Sequence, residues 1–338
     1  MKYSVFAGAG IALGLFLYIC GLFYYQAFTP IAERGSQAAI VEIPPGASLT
    51  SVSRLLFEKN LIRSPSAFRL LAYAQRKQKN IQIGEFELNA GMKPGEILEK
   101  ITSGQAILHR VTIPEGYRII EINKILSDEG LAGGEAFIEQ VSNPEHLASL
   151  GITSGSLEGY LFPDTYHFTR NTSAQVIVET MLNNFKKKIF TEEYLERASE
   201  IGYSLHEIIT LASVIEKETG AKEERKLISS VFHNRLNKKM RLQTDPTVIY
   251  AIKDFDGNLR KKDLYIDSPY NTYRYRGLPP GPIASPGQLA IEAALYPAQT
   301  DHLYFVSKQD GTHQFSNNLK EHNRAVHKYQ LRPIKRTP

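Results

Sequence analysis

The sequence predicts an α+β protein with one N-terminal membrane-spanning helix, a small α+β module and a larger mixed α/β domain. Three observations support this fold class. No charged residue occurs between positions 3 and 31. Strand-like alternation and helical spacing then follow one another over residues 39–102. Further along, a helical apolar pattern contains a carboxylate, Glu216, close to its end. We therefore expect the larger domain to carry a functional glutamate on a helix.

Residues 1–31 are predicted to form a short cytoplasmic segment and a transmembrane helix. The stretch 5–25 is mostly Ala, Gly, Ile, Leu and Phe, which is long enough for one span of ~20 residues. Lys2 precedes the stretch and Glu33 is the first charge after it, so the charge bias places the N-terminus inside. A cleaved signal peptide is the main alternative, but the apolar run is long for one and no Ala-x-Ala pair closes it.

Composition excludes several functional classes. The net charge is +5 and the sequence pI is about 9.0, but the basic residues are spread out and no aromatic residues interleave with them, as a nucleic-acid surface would require. The single cysteine, Cys20, excludes a disulfide framework and a cysteine-based metal site. His233, His313 and His322 are scattered along the chain. We therefore expect no nucleic-acid partner, no metal and no cofactor.

Residues 32–108 are predicted to form the small module. The pattern indicates a strand, two helices, a second strand and a third helix, an order typical of a compact α+β unit. The predicted elements are the strand 39–43, the helices 49–59 and 65–74, the strand 81–88 and the helix 94–102.

The helix that carries Glu216 is the most informative element of residues 109–338. Ser204 and Glu207 have the spacing of a capping box that begins the helix, and Gly220 is suited to its end. At ~100° per residue, Glu216 falls within the apolar arc and at the negative end of the helix dipole. Both effects favour the protonated carboxyl, which is the form that a general acid needs. The alternative is a glutamate at a helix end whose side chain reaches solvent.

Aromatic residues stand beside Asn, Gln, Asp and Thr in several strings of the same region. Flat rings can cover the faces of sugar rings, and amides and carboxylates can bind hydroxyls, so this composition is typical of a sugar-binding cleft. The strings are 157–166, 231–236, 240–250, 268–273, 277–287 and 315–319.

The first five of these strings, together with Ala212–Thr219, resemble those of the YceG-like endolytic murein transglycosylase family, and the resemblance covers nearly the whole chain. It implies that residues 32–108 are LysM-like and that residues 109–338 form a YceG-like catalytic domain. It also implies an enzyme of the bacterial inner membrane, with most of the chain on the periplasmic side. Such an enzyme cleaves the β-1,4 bond between N-acetylmuramic acid and N-acetylglucosamine within glycan strands and leaves 1,6-anhydromuramic ends. The resemblance assigns the catalytic role to Glu216.

One carboxylate suffices for this reaction because the C6 hydroxyl of the sugar replaces water as the nucleophile. An ordinary glycosidase needs two, ~5–5.5 Å apart when retaining and ~6.5–9.5 Å apart when inverting. We expect Glu216 to protonate the bridging oxygen and then to accept the C6 hydroxyl proton. Glu158 is either a second carboxylate of the site or a structural cap. The predicted substrate-binding residues are Glu158, Tyr160, Asp164, Gln243, Thr244, Asp245, Tyr250, Asn271 and Tyr273.

Two other functions remain open at this point. A lysozyme-like muramidase would use Glu216 with Asp245 or Glu218 as its second carboxylate, and would leave reducing ends. A non-catalytic scaffold would bind peptidoglycan without cutting it. For the transglycosylase, the predicted membrane anchor leads us to expect cleavage of nascent strands beside the peptidoglycan synthases.

Overall fold

The computed structural model describes residues 2–152 and 155–331, and it is an α+β protein as the sequence predicts. Residues 153, 154 and 332–338 of the predicted catalytic domain, and Met1 of the predicted span, lie outside the described residues. The helices are α1 (Lys2–Phe28), α2 (Leu49–Glu58), α3 (Pro65–Ala74), α4 (Pro94–Thr102), α5 (Ile119–Asp128), α6 (Glu135–Val141), α7 (Pro144–Ser149), α8 (Ala174–Ile189), α9 (Glu192–Glu200), α10 (Leu205–Glu218), α11 (Arg225–Asn237), α12 (Asp245–Ala251), α13 (Gln288–Leu295) and α14 (Leu319–Val326). The strands are β1 (Ala38–Ile43), β2 (Gly84–Asn89), β3 (His109–Thr112), β4 (Thr165–Phe168), β5 (Tyr304–Ser307) and β6 (His313–Ser316).

The chain divides into two compact units. The smaller unit runs to Arg110 and includes His167–Thr172, and the larger unit contains Val111–Tyr166 and the chain from Ser173 onward. We placed the boundary between the LysM-like module and the catalytic domain after residue 108. These two names describe functions, and the division into compact units does not test them. The domain assignment therefore stays a prediction.

The smaller unit has the strand–helix–helix–strand–helix order that the sequence pattern predicts. Strands β1 and β2 pair antiparallel, with Val41 opposite Phe86. Helices α2 and α3 begin at Ser48 and Ser64, whose side chains accept hydrogen bonds from the backbone of the first turn. The apolar faces of the strands and helices meet in one buried core that includes Leu56.

The predicted membrane span is not supported. A span requires ~20 consecutive, predominantly apolar residues, and none of the helices in residues 2–152 and 155–331 combines the length and the apolar character that a bilayer crossing demands. Helix α1 instead packs its C-terminal turns within the smaller unit: Ala27 is fully buried, and the Arg63 guanidinium lies over the Tyr25 ring. Arg63 also donates to the carbonyl of Pro30 at 2.8 Å. The predictions of a single N-terminal transmembrane helix and of a single-pass inner-membrane protein are therefore wrong.

Helix α10 is the central element of the larger unit and packs against α9, α11, α12 and α13. Ser204 and Glu207 form the predicted capping box, in which each side chain accepts from the backbone N–H of the other residue. The helix ends at Glu218, and Gly220 follows without adopting the left-handed conformation. Six of its apolar side chains are fully buried: Ile208, Ile209, Leu211, Ala212, Val214 and Ile215.

The C-terminal part of the larger unit lies beside the end of α10. Strands β5 and β6 form an antiparallel hairpin in which Phe305 is opposite Phe315. Helix α14 packs on both strands, and α11 contacts β5. This arrangement brings segments about one hundred residues apart in the chain close to Glu218 of α10.

Candidate active site

A cavity of about 510 Å³ lies in the larger unit at the C-terminal end of α10. Glu218 of α10 lines it together with three residues that the sequence analysis selected, Gln243, Asp245 and Tyr273. The other side is lined by residues of α11, the β5–β6 hairpin and α14, among them Arg235. The volume lies within the range of ordinary small-molecule sites, so the cavity has room for part of a sugar chain.

The polar groups around Glu218 form a connected set. The Thr244 hydroxyl donates a hydrogen bond to Glu218 Oε1, and Thr244 directly precedes α12. The hydroxyl of Tyr273 donates to Asp245 Oδ1 at 2.6 Å. The chain positions these groups because Gln243 adopts a left-handed backbone (φ 53°), which turns the segment into α12.

The pKa of Glu218 suits proton donation at neutral pH. Burial raises this pKa to about 7, and the negative charge of Asp245 acts in the same direction. The hydrogen bond from Thr244 and the positive charge of Arg235 oppose the rise. Glu218 is therefore protonated in a large fraction of molecules near pH 7, although it lines a cavity that a substrate can occupy.

Glu216 is buried, as the helix pattern predicts, with only 6% of its side chain exposed. Its two oxygens are engaged by the protein: Arg225 Nη2 lies 2.6 Å from Oε1, and the N–H of Gly287 donates to Oε2 at 3.0 Å. Burial raises the pKa of Glu216, while the Gly287 N–H and the Arg225 charge oppose that rise. Glu115 adds a second carboxylate to Arg225 at 3.5 Å. Glu216 is thus part of an ion-pair network rather than of the cavity lining.

Glu158 contacts the start of α5, as the structural-cap alternative implies, and its role stays a prediction. Its Oε1 accepts a hydrogen bond from the backbone N–H of Ile119, the first residue of α5, at 3.0 Å. The Tyr250 hydroxyl lies 3.5 Å from its Oε2, and the Arg118 guanidinium covers the Tyr250 ring. Burial raises the pKa of Glu158 to about 7. Neither Glu158 nor Tyr250 is among the residues that line the cavity.

Three further predicted residues also have structural contacts away from the cavity. Tyr160 is buried, with its hydroxyl 2.6 Å from Nδ1 of His206. Asp164 pairs with Lys188 at 2.8 Å, and this contact holds the pKa of Asp164 below its usual value. Asn271 is fully buried and its amide bonds three backbone groups of its own loop. These residues support the loops around the site and do not face the cavity.

The sequence analysis did not select several residues of the cavity. Glu218 entered only as a possible second carboxylate of a hydrolase, although it belongs to the same Glu-Lys-Glu-Thr string as Glu216. Arg235 lies in the string 231–236 that carried part of the family resemblance. His313 and His322 were regarded as scattered, yet β6 and α14 place both at the cavity. Their proximity depends on how α14 packs on the β5–β6 hairpin, which spacing along the chain does not predict.

Comparisons with known proteins identify the family. The sequence model of the YceG-like family matches residues 41–328. This chain belongs to the YceG-like family. A Bacillus subtilis protein named endolytic murein transglycosylase is 38% identical over 93% of this chain and 91% of its own length. A Streptococcus pneumoniae protein of the same name is 31% identical over 90% of this chain and 62% of its own length.

The fold of a solved relative is also similar. A crystal structure of a putative YceG-like protein from Listeria monocytogenes has a TM-score of 0.59 and 36% sequence identity, and the match covers 85% of this chain and 98% of that one. The family resemblance that the sequence strings indicated is therefore confirmed.

Proposed function

We propose that this protein is an endolytic lytic transglycosylase of peptidoglycan. It cleaves the β-1,4 bond between N-acetylmuramic acid and N-acetylglucosamine within glycan strands and forms 1,6-anhydromuramic ends. Membership of the YceG-like family and the names of its relatives support the activity. The observation that carries the proposal is the position of Glu218, a carboxyl with a pKa of about 7 at the wall of a polar cavity.

Glu218 is better placed than Glu216 to be the general acid and base. A proton donor must come within hydrogen-bond distance of the bridging oxygen of the substrate. Both oxygens of Glu216 are already bonded to Arg225 and Gly287. Glu218 lines the cavity and has one oxygen bonded to Thr244. The sequence-based assignment to Glu216 stays a prediction that the experiment below compares with Glu218.

The mechanism needs no water. The Glu218 carboxyl gives its proton to the bridging oxygen while the bond to the muramic anomeric carbon breaks, which releases the next sugar as an alcohol. The resulting carboxylate accepts the proton of the muramic C6 hydroxyl, and that oxygen bonds to the anomeric carbon. The carboxyl is regenerated and the 1,6-anhydro ring closes. Because the nucleophile belongs to the substrate, the reaction gains the advantage of intramolecular attack.

The polar residues near Glu218 have supporting roles in this proposal. The Thr244 hydroxyl orients the Glu218 carboxyl, and the charge of Asp245 helps to keep that carboxyl protonated until substrate arrives. Tyr273 holds Asp245 in place. Gln243 offers an amide to sugar hydroxyls at the same wall.

A lysozyme-like muramidase is the second candidate function, because Glu218 and Asp245 are two carboxylates at one cavity. In that enzyme Asp245 would act as the nucleophile or as the base for water. The two functions differ in the ends that they leave: an anhydromuramic end for the transglycosylase, and a reducing end one water heavier for the muramidase.

Digestion of purified sacculi, with product ends read by mass spectrometry, tests these assignments. We expect anhydromuramic fragments from the wild type and from Glu216→Gln, at a reduced yield for the latter, and none from a folded Glu218→Gln variant. Loss of product in a folded Glu216→Gln variant, with activity retained in Glu218→Gln, would return the catalytic role to Glu216. Reducing ends would identify a muramidase, and binding without fragments from the folded wild type would identify a scaffold.

An association with peptidoglycan synthases stays a prediction. Cleavage within strands would shorten the chains that synthases make, which links the two activities chemically. The sequence argument for their proximity relied on the transmembrane anchor, which is not supported.

A further inference from the structure

The wall of the cavity contains two side chains with N–H groups that have no role in the proposed mechanism. Arg235 of α11 and His322 of α14 both line the cavity. Both also lie against the ring of Tyr304: the Arg235 guanidinium carbon is 5.0 Å from the ring centroid, and the His322 ring is stacked at 5.1 Å. We call Arg235 and His322 the donor wall.

The guanidinium of Arg235 is fixed in one orientation. Its Nε donates to the carbonyl of Leu303 at 2.6 Å, and its Nη1 donates to the carbonyl of Leu242 at 2.6 Å. These bonds and the Tyr304 ring restrict the plane of the group, and the whole residue is only 8% exposed. Nη2 is the guanidinium nitrogen that takes no part in these two backbone hydrogen bonds. A guanidinium held in this way loses little further freedom when it binds an acceptor.

In the described part of the chain, Arg235 forms no ion pair with a carboxylate. The carboxyl whose charge acts on Arg235 is that of Glu218, and the pKa of Glu218 is about 7, so this carboxyl balances the Arg235 charge only in part at neutral pH. A buried charge without a partner is costly for a protein to maintain. Such a group is therefore a candidate for binding an anionic part of a ligand.

His322 adds a neutral donor beside this charge. Burial lowers the pKa of His322, and the charge of Arg235 lowers it further, so the ring is neutral near pH 7. Its Nδ1 is buried without a hydrogen-bond partner. An orphaned buried donor is costlier than an orphaned acceptor, so the ring proton belongs on Nε2, the other nitrogen. Arg235 and His322 thus bring two N–H groups to one cavity, and both side chains contact Tyr304.

We propose that the donor wall binds a carboxylate carried by the muramic residue of the glycan. This inference rests on the proposed function, and it deepens that function by naming the substituent that the cavity recognises. Muramic acid differs from N-acetylglucosamine by the carboxylated lactyl ether on C3. The carboxylate is the lactyl group itself in a peptide-free strand, and belongs to the attached peptide in a peptide-bearing strand. In either case the wall orients a muramic residue, and not its neighbour, toward Glu218.

Binding measurements with the full chain test the proposal separately from cleavage. In the Glu218→Gln background, calorimetry compares three ligands: a peptide-free tetrasaccharide of alternating N-acetylglucosamine and N-acetylmuramic acid, its peptide-bearing form, and chitotetraose. We expect the better muramyl ligand to bind about tenfold or more tightly than chitotetraose, as a charge-assisted hydrogen bond provides. Preference for the peptide-free ligand identifies the lactyl carboxylate, and preference for the peptide-bearing ligand alone identifies a peptide carboxylate.

Variants of the donor wall must remove that preference selectively. Arg235→Gln and His322→Phe are each expected to lower the affinity for the muramyl ligand about tenfold and to leave the affinity for chitotetraose unchanged. The affinity of Arg235→Lys for the muramyl ligand is expected to lie between those of Arg235→Gln and the parent protein. His322→Phe keeps the stacking on Tyr304, so it carries the test if Arg235→Gln fails to fold. Arg260→Gln, an exposed arginine paired with Asp256, is the matched control. Equal affinity for muramyl and chitin ligands, or equal losses for both ligands in the folded variants, would overturn the proposal.

Discussion

Replacing Glu158 by glutamine is expected to remove a pH-dependent part of the protein's stability. Glu158 is 7% exposed, and burial raises its pKa from 4.5 to about 7. Between these two values the folded chain holds a proton that the unfolded chain releases, so the free energy of unfolding falls as pH rises. The contribution is fully present below pH 4.5 and is lost once the pH exceeds the folded value of about 7.

The size of this effect follows from the difference between the two pKa values. At about 1.4 kcal/mol per unit, the rise from 4.5 to about 7 corresponds to about 3 kcal/mol, most of which is lost between pH 5 and pH 8. Glutamine keeps an oxygen to accept the Ile119 N–H and adds an amide donor for the Tyr250 hydroxyl, without titrating. The variant is therefore expected to be more stable than the wild type at pH 8.

Urea unfolding followed by circular dichroism at pH 5, 6.5 and 8 measures this difference. Glu218 also has a raised pKa and contributes to the pH dependence of both proteins. The difference in unfolding free energy between the wild type and Glu158→Gln therefore isolates the contribution of Glu158. Glu200→Gln, at an exposed position paired with Arg197, is the control and is expected to follow the wild type. Equal pH slopes for the wild type and Glu158→Gln, or a variant less stable than the wild type at pH 8, would refute the reasoning.

Two further predictions concern the backbone near the site and the proton donor. Gly159→Ala is expected to cost about 3 kcal/mol in unfolding free energy, because the residue has φ 86° and its new Cβ would overlap the ring of Pro282. Gly202 has a similar φ of 80°, but a Cβ added there would meet no neighbouring atom, so Gly202→Ala is expected to cost about 1 kcal/mol. Equal losses of unfolding free energy for the two variants in chemical denaturation would contradict the packing argument. Asp245→Asn removes a charge that raises the pKa of Glu218. The alkaline limb of the rate of anhydro-end formation should therefore move to lower pH, and an unshifted limb in a folded variant would exclude Glu218 as the titrating acid.

Local patterns in the sequence determined the elements that depend on neighbouring residues. The capping box of Ser204 and Glu207 and the order of elements in the smaller unit follow from spacings of two to four residues, which are visible without a structure. The burial of Glu216 is a consequence of the same helical period. The family could also be recognised from the strings of the larger unit, since these are unusual combinations of polar and aromatic residues.

The N-terminal apolar stretch shows the limit of that reasoning. Its composition predicted a membrane span. In the structure, the C-terminal end of α1 packs within the smaller unit through Ala27 and Tyr25. Likewise, Tyr160 and Asn271 are residue types that often bind sugars. In this structure the Tyr160 hydroxyl contacts His206, and the Asn271 amide forms hydrogen bonds with backbone groups. Composition does not reveal whether a polar group has a partner elsewhere in the chain.

The sequence by itself determined the family, the α+β class and the helix that carries two glutamates. Only the tertiary structure decided which of them lies at a cavity. Glu216 and Glu218 are two residues apart and so point about 200° apart around α10. One faces Arg225 and Gly287, and the other faces Thr244 and the cavity. What each face of a helix meets depends on segments far away in the sequence, and the helical period contains no information about them.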